Sequence, residues 1–303
     1  MNVIKKIQPL PFMLLLVLFV ACGTPGAPQP PSLNIPKPIT DLAAVRKGDT
    51  VTLSWTAPEE TTDGTSVRHS GRMIVRRTVS DGGAAKVVGE VPLVLAHKTQ
   101  EAPVKSLKDS VGDLVTSASV DFVRYTVEAV NNSGKSAGQS NQAVVPLVLT
   151  PVPPKDIQVK PVPQGVSISW QQNWLPKKHT SLSTQYVYRI MRRAGSNQRP
   201  VMVKQLSAGG ESTLVIDTGI EWEKQYQYWV IPVTLWQKDE QEKGEVEGDD
   251  STIVTLTTLD KFPPAVPSGL QAVFTQAGQK SFIDLSWTAS MDSDLAGYNV
   301  YRS

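Results

Sequence analysis

The sequence predicts an all-β protein built as tandem sandwich units, and three observations carry that expectation. Leu53-Ser54-Trp55 returns as Ile168-Ser169-Trp170 and again as Leu285-Ser286-Trp287. With Trp at 55, 170 and 287 the spacings are 115 and 117 residues, a period that marks a repeated domain rather than a solenoid. Each Trp closes a run with a period of two, which puts one side of a strand in a core and the other in water. Gly and Pro punctuate many short runs, and nothing beyond the N-terminus sustains a 3.6-residue period, which argues for a β-sandwich over a helical fold.

Along the chain, residues 1–21 read as a secretion signal. Lys5 and Lys6 precede an apolar stretch from Phe12 to Val20 that is too short to span a bilayer. Phe19-Val20-Ala21-Cys22-Gly23 follows and resembles a bacterial lipobox, with Phe19 where Leu is usual. That resemblance implies a diacylglyceryl thioether on Cys22, usually with N-acylation, and Gly23 in place of Asp implies outer-membrane sorting in an organism that has an outer membrane. Each buried CH₂ of an acyl chain contributes about 0.8 kcal/mol, so two or more chains hold a soluble protein at a bilayer. The alternative is an ordinary cleaved signal with an incidental Cys. Cys22 is the only cysteine, so no intramolecular disulfide forms. Residues 22–36 read as the lipidated Cys and a Pro/Gly-rich tether.

The first unit covers 37–149. Val51, Leu53 and Trp55 alternate with Thr52 and Ser54; Met73, Val75 and Arg77 form a second run; Val123, Tyr125, Val127 and Ala129 form a third. A turn follows at Asn131-Asn132-Ser133-Gly134. The second unit, 150–260, repeats these runs as Val166/Ile168/Trp170, Tyr188/Ile190/Arg192 and Tyr226/Tyr228/Val230/Pro232. Residues 261–303 repeat two of them, Ile283/Leu285/Trp287 and Tyr298/Val300/Arg302. Trp55, Trp170, Trp287, Tyr188 and Tyr226 are expected in cores, on the buried parity of their strands. Pro36-Lys37-Pro38, Pro151 to Pro154 and Pro263 to Pro267 separate the copies; proline cannot continue a central ladder, so these segments are expected to be stiff spacers. The stretch from Val91 to Gly112 reads as an insertion in the first copy.

Taken together, the starting prolines, the Trp of each early run, the Tyr188/Tyr298 aromatics, the Tyr-x-aliphatic pattern of the third run and Asp294-Leu295-Ala296-Gly297-Tyr298 resemble tandem fibronectin type III domains, bacterial members among them. The resemblance covers roughly residues 37–303 and implies tandem immunoglobulin-like sandwiches, the last one incomplete. Val123 stands where Tyr226 supplies a corner tyrosine, so the corner hydrogen bond is not expected in the first copy. Such a sandwich needs seven strands and about 100 residues. Residues 265–303 supply three strands at most, so the chain is expected to be part of a longer one.

No segment meets the demands of catalysis. Gly134-Lys135-Ser136-Ala137-Gly138 spells a nucleophile elbow, but a strand rather than a helix is expected after it; Ala129 likewise removes the first glycine of a P-loop. His69, His97 and His179 share no metal-ligand spacing. Asp292-Ser293-Asp294 reads as turn chemistry in preference to a calcium site. The acid-rich run from Lys238 to Asp250 reads as a solvated loop between strands, with a cation- or partner-binding loop as the sharper alternative. A formal charge of +2, with dispersed basic residues, gives no case for nucleic acid. The candidate binding residues are Trp174, Lys177 and Lys178, in the long loop after Trp170: an exposed aromatic flanked by cations suits sugar stacking or a protein hot spot.

The expected function is thus a non-catalytic binding or spacer module, lipid-anchored through Cys22 in a bacterial envelope and probing a protein or polysaccharide partner, with no cofactor and no metal. The alternative is the N-terminal spacer of a longer secreted enzyme, a glycoside hydrolase or peptidase, whose catalytic domain lies beyond Ser303.

Overall fold

A computed structural model describes residues 33–68, 70–79, 83–93, 103–117, 120–171, 180–209, 213–278, 280–292 and 294–302. The first unit runs β1 (Ala43–Lys47), β2 (Thr50–Thr56), β3 (Gly71–Thr78), β4 (Lys86–Leu93), β5 (Val104–Ser110), α1 (Gly112–Ser117), β6 (Phe122–Val130), β7 (Ser136–Gln139) and β8 (Ala143–Pro146). One sheet is ordered β1-β2-β5; the other is β4-β3-β6, with β7 and β8 both on the far side of β6. The alternation in β2 is the reason for the layering: Val51, Leu53 and Trp55 are buried while Thr52 and Ser54 turn outward. They meet Met73 and Val75 of β3 and Tyr125 and Val127 of β6, all fully buried. The Trp55 indole N–H points at the Met73 sulfur, 3.1 Å away.

The stretch expected as an insertion, Val91 to Gly112, contains the end of β4 and the whole of β5, which pairs in register with β2 as Leu53↔Leu107. Its sequence hid this because β5 alternates between half-buried and exposed residues and has no fully buried position. The six-residue α1 is too short to leave a periodic signature.

The second unit repeats the plan with β9 (Gln158–Val162), β10 (Gly165–Ser169), β11 (Ser183–Ala194), β12 (Val201–Ser207), β13 (Leu214–Asp217), β14 (Gln225–Gln237), β15 (Lys243–Glu247) and β16 (Val254–Thr257). A β13-β10-β9 sheet faces β12-β11-β14, with β15 and β16 both on β14. In each unit the final strand is broken into two pieces. A serine stands at each break: Ser140 Oγ accepts from Val127 N at 2.9 Å, and Ser251 Oγ accepts from Val230 N at 2.9 Å. The hydroxyl replaces the missing ladder partner of a backbone N–H. Pro232 is tolerated in the middle of β14 because the partner of β14 changes there from β16 to β15, so no ladder donor is called for, while Pro232 O still accepts from Gly248 N at 2.7 Å. Three strands facing four, with the last strand interrupted, is the seven-strand immunoglobulin-like arrangement.

Trp170, Tyr188, Tyr226 and Tyr228 fill the second core. Trp170 meets Tyr188 edge-on at 5.7 Å. Residues beyond 260 depart from the expectation of a core. They form a hairpin of β17 (Ser268–Ala277) and β18 (Lys280–Thr288), and the run Tyr298–Arg302 forms no strand. Trp287, expected to be buried, is half-buried; its ring meets Tyr298 edge-on at 5.4 Å. No second sheet faces this hairpin among the described residues, so Phe274 and Ile283 are more than 60 % exposed. The fold class is therefore all-β: two complete immunoglobulin-like sandwiches and an incomplete third.

Candidate functional site

The most concentrated polar chemistry in each unit lies between its two sheets. Arg77 at the end of β3, Asp109 on β5 and Tyr125 on β6 converge in the first. Arg77 Nη1 donates to Asp109 Oδ2 at 2.6 Å, and the Tyr125 hydroxyl donates to the same oxygen at 2.7 Å. In the second unit Arg192 of β11, Asp217 of β13 and Tyr228 of β14 repeat the arrangement. Arg192 Nη1 lies 3.0 and 2.8 Å from the two Asp217 oxygens, the Tyr228 hydroxyl donates at 3.0 Å, and Gly219 N donates at 3.0 Å. Asp217 is 5 % exposed. The strand parity that aligned Arg77 with Arg192 and Tyr125 with Tyr228 in the sequence is the parity that aims all of them inward. The carboxylate partners are absent from the sequence motif, because β5 and β13 carry no alternation strong enough to align them.

Burial, reinforced by the neighbouring carboxylate, pushes both phenols well above their ordinary range. A neutral phenol and a guanidinium saturating one carboxylate leave no free base and no activated nucleophile. The cluster ties sheet to sheet.

The corner tyrosine of the second unit is present, with Glu221 N donating to the Tyr226 hydroxyl at 2.9 Å. Val123 occupies that place in the first unit as a buried apolar residue. Ser290 N donates to Tyr298 at 2.7 Å, a bond the sequence did not flag.

Trp174, Lys177 and Lys178 lie outside the described residues, as do Cys22, His69, His97 and His179. Beyond the Trp174 segment, residues Thr180 to Leu182 lie at the junction of the two sandwiches. Thr180 and Ser181 donate their hydroxyls to Asp121 of the first unit, and Leu182 is buried between the units.

The acid-rich segment is not a plain solvated loop. It makes a turn and then β15. Asp239 Oδ1 accepts from Gln241 N at 2.9 Å and Glu242 N at 2.7 Å. Glu245 takes both arms of Arg189, at 2.9 and 2.6 Å, which holds its carboxyl below the usual range. Asp250 pairs with Lys47 of the first unit at 2.8 Å. Patterned charges were legible; their strand was not, because β15 is short and its outward parity is itself charged, leaving Val246 as its one buried residue. The Gly134-Lys135-Ser136 string is a turn running into β7. Asn131 Oδ1 accepts from Ser133 N and Lys135 N there, with no helix to present a nucleophile. Asp292 accepts locally from the Ser290 hydroxyl, which is turn chemistry, and also from the distant Ala265 N at 2.6 Å, which ties the turn to the segment before β17. Among the described residues no three His, Cys, Asp or Glu side chains gather to hold a metal ion, and no helix is long and apolar enough to cross a membrane.

No family model and no curated protein matches the chain. Among solved structures, the chain is similar to the FN1–FN3 domains of chicken CNTN1, at 17 % identity over 75 % of this chain and 69 % of that one, with a TM-score of 0.37. The sheet order, three strands facing four in each complete unit, defines the fold by itself.

Proposed function

We propose that this chain is a fibronectin type III-like lipoprotein of a bacterial envelope, and that it acts as a non-catalytic spacer and binding module. Its proposed divisions are a signal peptide (1–21), a lipidated tether (22–36), two sandwiches (37–149 and 150–260) and the start of a third (261–303). The single observation that supports the non-catalytic reading is the recurrence of one Asp–Arg–Tyr tie at the same inter-sheet place in both complete units. Catalytic groups belong to one site; a cluster that recurs with the repeat serves the scaffold. The anchor rests on Cys22 and its neighbours, and recognition of a protein or polysaccharide rests on the Trp174 loop, with Lys177 and Lys178 beside it.

Two measurements test this. The N-terminal peptide of the mature protein, taken from native membranes with its acyl chains intact, is expected to begin at Cys22 and to carry a diacylglyceryl group and an N-acyl chain. A peptide with another start and no lipid removes the anchor. Envelope material captured by the protein is expected to be lost on Trp174→Ala, and unchanged capture removes the loop as the site.

A further inference from the structure

We infer that the first two sandwiches form one rigid body, an elbow set by their joint, and that the Pro-rich segment between them is a fixed strut within it. This stands on the joint's own geometry and holds whether or not the chain carries a lipid. Modules joined by a linker move relative to one another unless their interface is large and apolar; three features across this joint, and one on the first-unit side of it, oppose such motion.

The first is a backbone bond between sheets. Lys47 of β1 bridges Glu247 of β15 in parallel, and Gly48 N donates to Glu247 O at 2.8 Å. The three-stranded sheet of the first unit is thereby continuous with the large sheet of the second, in the order β12-β11-β14-β15-β1-β2-β5. The second lies wholly within the first unit and stiffens its side of the joint: a buried cation where the chain leaves β8. Arg46, 7 % exposed, donates through Nε to Gly48 O at 2.8 Å and through Nη1 to Pro146 O and Val148 O at 2.7 and 2.9 Å. Burial lowers its guanidinium to about 10, so it stays charged at neutral pH. Those three carbonyls fix both β1 and the direction in which the chain leaves β8.

The third feature holds the strut itself. The Thr234 hydroxyl of β14 donates to Leu149 O at 2.7 Å, and Pro151 and Pro154 are buried. The fourth is apolar. Val148 and Leu182 are buried with Val246, and Phe122 of the first unit meets Trp236 of the second edge-on at 5.4 Å. The contacts come from β1, β6, the strut, β14, β15 and the segment before β11, so no single axis is left free.

Double electron–electron resonance tests this, with nitroxides on Lys86→Cys and Arg199→Cys in the otherwise full chain carrying Cys22→Ser. Both label sites are exposed and lie in different units. One narrow distance population is expected. Val246→Asp and the pair Arg46→Met/Thr234→Val are each expected to widen it at least twofold while both sandwiches still unfold cooperatively. A broad distribution in the parent chain, as from a free Pro-rich linker, overturns the inference. A narrow one that neither variant widens overturns the assignment of the latch to these residues. Thr234→Val alone, which removes one hydroxyl and keeps the side-chain shape, supplies the reading if the larger changes unfold the chain; a width equal to the parent's there counts against the strut.

Discussion

Asp217 shows how little of a polar tie lies in the residue that the repeat announces. The sequence aligned Arg192 with Arg77 and Tyr228 with Tyr125, yet the acid joining each pair comes from a strand with no matching motif. Removing it leaves a mostly buried guanidinium and a phenol without their acceptor. Asp217→Ala is therefore expected to destabilise the second sandwich by about 3 kcal/mol, read from chemical denaturation, with a smaller loss for Asp217→Asn. The phenols set the alkaline limit. Tyr125 and Tyr228 are raised by burial first and by their aspartates second, and Tyr188 is raised by burial. Each stays protonated in the folded chain while the unfolded chain ionises above about pH 10. Their contribution to stability is thus full below about pH 10 and falls as pH rises beyond it. Ultraviolet titration is expected to show these tyrosines ionising only together with unfolding; free titration of all seven tyrosines in the folded protein contradicts the tie.

Among the elements, two glycines separate a structural need from a turn preference. Gly165 opens β10 at φ 140°, and a Cβ there would lie 2.1 Å from Asp217 O. Gly165→Ala must strain the backbone and part β10 from β13, at a cost of about 2 kcal/mol or more. Gly134 has φ 76° with nothing within 4 Å, so Gly134→Ala meets only the left-handed penalty, about 1 kcal/mol. Equal losses in thermal denaturation would show that the close approach at Gly165 is absent. The hairpin β17–β18 makes the opposite case, with sound alternation and no partner sheet among the described residues. A lone hairpin is marginal in water, so its amides are expected to exchange far faster than those of β6 and β14. Protection equal to theirs would mean that another surface covers it. The strands carrying Trp55 and Trp170 were legible because half their residues face a core. β5 and β15 were not, because β5 has no fully buried position and β15 has only one, so neither shows an alternation.

For the molecule as a whole, the strength of the elbow is assigned to its buried members. Lys47 and Asp250 are each 42 % exposed on their side chains, and exposed pairs contribute about 0–1 kcal/mol that salt screens. Asp250→Ala is expected to leave unfolding within that range and the interdomain distance unchanged at high salt; a distance that broadens with salt would assign the joint to its ion pairs. The candidate loop shows the same division between sequence and structure. Its aromatic and its lysines are visible in the sequence, while the bonding of Thr180 and Ser181, which follow it, to Asp121 of the preceding unit is a fact of tertiary contact. Alternation and period alone determined the all-β class, the tandem copies and the core tryptophans of the two complete units, since burial of one strand face writes itself into every second residue. Tertiary structure alone decided that the acid-rich run holds a strand, that two aspartates complete the ties, and that Thr234 and burial hold the prolines between the sandwiches. Each of these depends on what another part of the chain places against the residue, and the local sequence holds no record of that.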